Sequence, residues 1–524
     1  MLVLVFGGCH SPDEHSRETR IFRYNEPGGI TSLDPAFARS PENTWAVHQL
    51  YSCLVQLDTT LGVQPCLARK WSLTPDGRTY TFLLRRDVWF HRDACFEAAG
   101  TRKLTAHDVA FSLNRLRNPQ LAAPGAWILA ELDSINGVEA ANDTTLILRL
   151  TKPFAPFLSM LSHPYCSVLA PEAEQKYGKD LRSHPVGTGP FFLKQWAEGE
   201  KMVMRRHTQY FEWENGQRLP HLEAVSISFI RDRQTAYLEF LKGTFDMMSG
   251  LDGSYKDDLL DDKGTLMPKH AKNLRMHRMP YLKTDYLGVV IDAPGVFQKT
   301  AVRQALNMAI DKARLVQYLR NGIGQPAWYG LVPTALRKGF HDGLPTWGHE
   351  PEKARKLLKT AGVTAANALT LYTTSSAQEV PEFVQRQLQE IGIECKVEVM
   401  IPSVLNERVA KGDLAFFRKN WVGDYADAEN FLALTLGSNR APEGPNYSHF
   451  NHPHFNRMYQ EAVSEANSEK RLRLYARMDS LVATELPVIP LYYDEAVVFY
   501  HPNVSGWRFN SMNLLELKTV RKGS

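Results

Sequence analysis

Residues 67–91 read L-A-R-K-W-S-L-T-P-D-G-R-T-Y-T-F-L-L-R-R-D-V-W-F-H, and residues 104–116 read L-T-A-H-D-V-A-F-S-L-N-R-L. The first stretch is a hairpin in outline. Trp71-Ser72-Leu73 leads into Thr74-Pro75-Asp76-Gly77, where proline sets φ and glycine accepts the left-handed region, and residues 79–83 return as the second strand. The second stretch opens a helix. Thr105 caps it, Asp108 three residues on completes a capping box, and Asn118-Pro119 stops it after about Arg117.

Outward from this block the chain keeps alternating between the two kinds of element. Residues 21–24 read as a strand ending in the turn 25–29, and residues 45–54 carry apolar side chains at helical spacing. Residues 146–150 read as a strand. Residues 185–191 form a glycine-rich turn into another strand, without the Gly-Lys-Ser/Thr of a phosphate loop. Asp232 caps a helix through Leu241, Gly243 ends it, and residues 245–248 form a short strand. Helices are expected near 300–320, 351–361, 380–391 and 469–485, with strands near 286–291, 369–373, 394–400 and 497–500. The fold class is therefore α/β.

A chain of 524 residues exceeds one core and implies two or more domains. Its formal charge of +4 is spread without a basic run, so nucleic acid is not an expected partner. No apolar run reaches the roughly 18–20 residues that cross a bilayer. The first residues, M-L-V-L-V-F-G-G-C, are apolar, then small, then a cysteine followed by charged sequence. This resembles the tail of a bacterial lipoprotein signal, with Cys9 as the lipid-bearing residue, though without a basic start and with Phe6 where leucine is usual; the other reading is an apolar terminus with an ordinary cysteine. Cys53, Cys66, Cys95, Cys166 and Cys395 match no zinc spacing and leave open both disulfides, whose pairing is not legible, and buried thiols.

Catalytic signatures are absent: no His-Glu-x-x-His, Gly-x-Ser-x-Gly, Walker A or dinucleotide fingerprint occurs. No catalytic residue, cofactor or metal is assigned. The groups His449/His452/His454 and His91/Asp93/Cys95 do not sit at i, i+4 on a helix, and Pro453 interrupts the first. The stretch 418–431, R-K-N-W-V-G-D-Y-A-D-A-E-N-F, sets Asp424, Asp427 and Glu429 beside aromatic residues. It reads either as a surface turn or as a pocket wall offering a carboxylate to a cationic ligand.

Taken together, the 67–116 blocks resemble the extracellular solute-binding proteins, family 5, of peptide-type ABC transporters. Further matching blocks are S-L-D-P (32–35), P-V-G-T-G-P-F (185–191), A-L-N-M-A-I-D-K-A-R-L-V (305–316), P-E-K-A-R-K-L-L-K-T-A-G (351–362) and W-V-G-D-Y-A-D-A-E-N-F (421–431). The resemblance implies a two-lobed α/β periplasmic-binding-protein fold of class II, with an extra subdomain in the N-terminal lobe. Lobe I would comprise 21–45, 186–275 and 491–524, the subdomain 46–185, and lobe II 276–490, after an anchor segment 1–20. It further implies a monomer, not an enzyme, tethered in the periplasm or at the cell surface through Cys9, that binds peptides and delivers them to ABC-transporter permease subunits.

In the implied site Asp424 meets the peptide α-ammonium, Trp421 and Tyr425 wall the cleft, and Arg418 contacts peptide. Arg39, Ser40, Ser249 and Gly250 approach from lobe I. Two departures stand out: Asp427 is followed by Ala428 rather than proline, and no arginine occurs around 371–380 to hold a dipeptide carboxylate. The same fold binding a nickel chelate, haem, oligosaccharide or opine is the alternative, and a secreted enzyme a further one.

Overall fold

The computed structural model describes residues 20–97, 99–340, 346–363 and 367–523; Cys9 lies outside them. The 68–84 hairpin forms as expected from Ala68–Leu73 and Thr79–Leu84. Its turn closes with the Thr74 amide donating to the Thr79 carbonyl at 3.0 Å, and Gly77 takes φ +69°. These strands join Thr145–Arg149 and Val138–Asn142 in a four-stranded antiparallel sheet, against which the helix Ala106–Leu116 packs. The Asp108 carboxylate accepts from the Thr105 amide at 2.7 Å and is forked by Arg102, which also holds Glu172 at 2.6 Å. Asp108→Ala removes the cap and leaves a partly buried guanidinium short of an acceptor, an expected loss of about 2 kcal/mol. Urea denaturation checks this: the midpoint falls while the slope stays unchanged.

The rest is organised by one eleven-stranded sheet. In spatial order it runs Cys395–Met400, Leu369–Thr374, Phe416–Val422, Arg275–Val289, Val488–Tyr500, Met247–Ser249, Ile21–Asn25, Ala224–Ser228, Lys201–Arg206 and Phe191–Ala197, with Gln325–Pro326 on the flank of Val488–Tyr500. Two long central strands serve both lobes. Arg275–Pro280 pairs with Tyr500–Glu495, where Met247–Ser249 is the outer neighbour, and Thr284–Gly288 pairs with Tyr493–Val488, where Phe416–Val422 is the outer neighbour. Between Pro280 and Thr284 the register slips. A bulge bends and twists a strand locally, and here it separates the stretch whose outer neighbour is Met247–Ser249 from the stretch whose outer neighbour is Phe416–Val422. Helices Thr300–Ala309, Lys312–Arg320, Pro351–Thr360 and Glu379–Glu390 bury their apolar faces on the second lobe's sheet.

Several boundaries differ from the sequence reading. The helix expected over 45–54 is Pro41–Leu50, because Ser40 caps it and Pro41 starts it. The helix expected over 300–320 is two helices, broken at Ile310 with Asp311 capping the second. The strands expected at 286–291 and 497–500 are the ends of the two long central strands. The five cysteines among the described residues are free thiols. No helix among the described residues is long and apolar enough to cross a membrane.

Candidate functional site

The strand Phe416–Val422 ends at the bulge, and Gly423 turns the chain there. Its amide donates to the Leu282 carbonyl at 2.7 Å. A Cβ at 423 would come within 3.1 Å of Phe431 and 3.2 Å of Leu282, so a larger residue there would have to push these side chains aside. Asp424 is thereby placed on the wall of a cavity of about 300 Å³ between the lobes and the subdomain. Trp45, Tyr51, Leu57, Tyr281, Met512 and Leu514 are among its apolar lining residues.

The three acids of the 418–431 stretch have separate fates. Glu429 is buried and accepts from the hydroxyls of Tyr425 and Tyr459; burial pushes its carboxyl up to about 7. Asp427 accepts from the Glu429 amide at 2.9 Å and starts the short helix Glu429–Leu432. Asp424 alone faces the cavity, and no cation among the described residues pairs with it. Its one helper is Asn430, whose carboxamide also accepts from Trp421 Nε1 at 2.8 Å and from the Asp424 amide at 3.2 Å. Burial therefore dominates and raises the Asp424 carboxyl to about 6. A half-buried carboxylate without a counter-charge is an electrostatic demand for a cation.

The other expected residues are placed as follows. Trp421 and Tyr425 flank Asp424 but are tied to Asn430 and Glu429, and neither lines the cavity. Tyr425 instead meets Trp127 of the subdomain, ring centroids 6.3 Å apart. Nearby the Ala155 amide donates to the Val463 carbonyl at 2.8 Å, so subdomain and second lobe touch beside the cavity. Arg418 points away: its guanidinium forks onto the fully buried Asp285, which also accepts from the Tyr492 hydroxyl at 3.1 Å. Arg39 is exposed, lines the cavity, and has no carboxylate partner among the described residues. Ser40 is used as the cap of Pro41–Leu50, accepting from the Asn43 amide at 3.4 Å. Ser249 lines a second cavity of about 260 Å³, which adjoins the first across Trp45. Gly250, at φ +83°, donates to the Val497 carbonyl at 2.9 Å and turns the chain away.

Sequence reasoning missed Asn430, Tyr281 and the whole 510–518 segment, which floors the cavity. The two histidine groups serve structure: His449 pairs with Asp292 at 2.7 Å, His452 caps Pro453–Ser464, and His91 bonds the Gly189 carbonyl at 3.0 Å. Among the described residues no three His, Cys, Asp or Glu side chains gather as metal ligands.

The family model described as bacterial extracellular solute-binding proteins, family 5 Middle, matches residues 62–443. The chain is 28% identical over 488 residues to the glutathione-binding protein GsiB of Salmonella choleraesuis (strain SC-B67), covering 91% of this chain and 90% of that protein. Among solved structures it is similar to the ABC transporter-associated periplasmic binding protein DppA from Helicobacter pylori in complex with peptide STSA. There the identity is 25% and the TM-score 0.79, over 97% of this chain and 99% of that one. HbpA2 from Haemophilus parasuis shares the fold with a TM-score of 0.82 at 24% identity, over 96% of this chain and all, 100%, of that one.

Proposed function

The chain belongs to the bacterial extracellular solute-binding proteins of family 5, and from that premise we propose that it is the solute-capturing component of an ABC transporter, closing its two lobes on a short peptide. The observation that carries this reading is the unpaired Asp424 carboxylate in the inter-lobe cavity. A peptide α-ammonium satisfies it, and the surrounding apolar wall lowers the local dielectric and strengthens the pair. The two relatives' named ligands, glutathione and the peptide STSA, are both peptides.

In this reading lobe I (21–45, 186–275, 491–524) with its subdomain (46–185) and lobe II (276–490) turn about the two long central strands that run between them, Arg275–Val289 and Val488–Tyr500. The contacts of Trp127 with Tyr425 and of Ala155 with Val463 then belong to the closed form. Closure is a population shift, set by contacts that the solute makes only when the lobes meet. Cys9 is the lipid anchor that keeps the protein in the periplasm or at the surface beside its permease, to which the closed form presents the peptide.

Calorimetry against pH tests the reading. The Asp424 carboxyl, raised to about 6 when empty, is protonated below that pH and must lose its proton to receive an ammonium. Affinity for free-amine peptides is expected to be flat above pH 7 and to fall up to about tenfold per unit below pH 6. N-acetylated peptides bind weakly and without this dependence. Identical pH profiles for both series would remove the peptide-amine role.

A further inference from the structure

This inference deepens the peptide reading above and rests on it. We propose that the solute is a net-neutral zwitterion, one ammonium and one carboxylate, with a large apolar side chain, and that the site rejects solutes bearing a second carboxylate.

The argument is a charge count around the cavity. One group in its lining is Lys518, Glu516, His48 and Gln56. Lys518 is buried; its ammonium donates to Gln56 Oε1 at 2.7 Å and forms ion pairs with Glu212 at 2.6 Å and Glu516 at 3.6 Å. Glu516 is held in turn by His48 at 3.4 Å and by the Lys518 amide at 3.4 Å. The Gln56 amide goes to Glu212 at 2.8 Å and to the Pro65 carbonyl at 2.9 Å. In this group Lys518 and His48 are both engaged by the carboxylates of Glu212 and Glu516, so no cation is left over for an incoming anion.

Among the described residues that line the cavity, two charges remain without an ion-pair partner, Arg39 and Asp424, and both face the same space of about 300 Å³. His163 is not a second cation, since burial holds it down to about 4 and its Nδ1 accepts from the Tyr165 amide at 3.1 Å. The adjoining cavity adds Glu26 and Glu42, while its arginine, Arg233, is drawn to Asp252 at 3.3 Å. Among the described residues lining the cavity, Arg39 is the cation left for a solute carboxylate. The same cavity is lined by Trp45, Tyr51, Val55, Leu57, Met512 and Leu514, a surface that accommodates an apolar side chain and leaves a charged one without a partner.

The test is calorimetry at pH 7.5 with Ala-Phe, Ala-Glu, glutathione, Ala-Phe amide and N-acetyl-Ala-Phe. Ala-Phe is expected to bind at least about 100-fold more tightly than Ala-Glu or glutathione. The exposed Arg39→Ala variant is expected to lose about tenfold for Ala-Phe and nothing for its amide. Ala-Glu or glutathione binding within tenfold of Ala-Phe, with N-acetylation still damaging, would overturn the charge count alone. No binding of any free-amine peptide, or equal binding of the acetylated one, would overturn the peptide reading and this inference with it.

Discussion

Asp424→Asn is expected to weaken binding of free-amine peptides by about 100-fold, roughly 3 kcal/mol, and to change binding of their N-acetylated forms by less than about threefold. The substitution is isosteric, so the Asn430 contacts and the turn at Gly423 persist. What disappears is the charge. A neutral amide still offers an oxygen, but a hydrogen bond between two ions is about twice as strong as one lacking charge, and the aromatic wall keeps water from screening it. Misfolding will not mimic the effect. The Asp424 pKa is higher in the folded protein than in the unfolded chain. The folded state therefore holds more protons between about pH 4 and pH 6, and stability falls as pH rises through that window. Removing the carboxylate relieves this, so the variant is at least as stable as the parent at neutral pH. Equal losses for free and acetylated peptides would assign Asp424 a structural role.

Arg418→Met is expected to act on the other property, costing about 3–5 kcal/mol of stability while leaving peptide affinity of the folded protein within about threefold. Asp285 has no exposed side-chain surface, and without Arg418 its carboxylate keeps the Tyr492 hydroxyl but no paired cation. The loss reflects a stranded buried charge more than the value of the pair. The double variant Arg418→Met with Asp285→Leu is accordingly expected to recover most of it. Urea titrations give the stabilities, and calorimetry on the folded protein gives the affinity. A variant as stable as the parent that binds peptide 100-fold more weakly would return Arg418 to the binding surface.

The contrast between these two residues shows what a linear sequence can carry. The hairpin at 68–84 and the capped helix at 106–116 were legible because turn chemistry and capping act over a few residues. The central strands were legible only at their ends. Val488–Tyr500 is buried on both faces and shows no alternation, and Arg275–Val289 loses its period at the bulge. The strand Phe416–Val422 went unread because its middle, Arg418-Lys419-Asn420, is polar, and the partner that justifies Arg418 lies 133 residues away. The 418–431 stretch announced three acids but not which would be free. That is decided by Tyr425 locally and by Tyr459 thirty positions on, |i−j| 30, which claims Glu429. The 510–518 floor has no periodicity that could have marked it.

That floor has a bearing on when the protein first becomes competent. Residues 510–518 and the strand Val488–Tyr500 leave the ribosome after nearly everything they pack against, including Ile21–Asn25 and helix Pro41–Leu50. Until those residues have been made, Asp424 and Arg39 have no complete chamber around them.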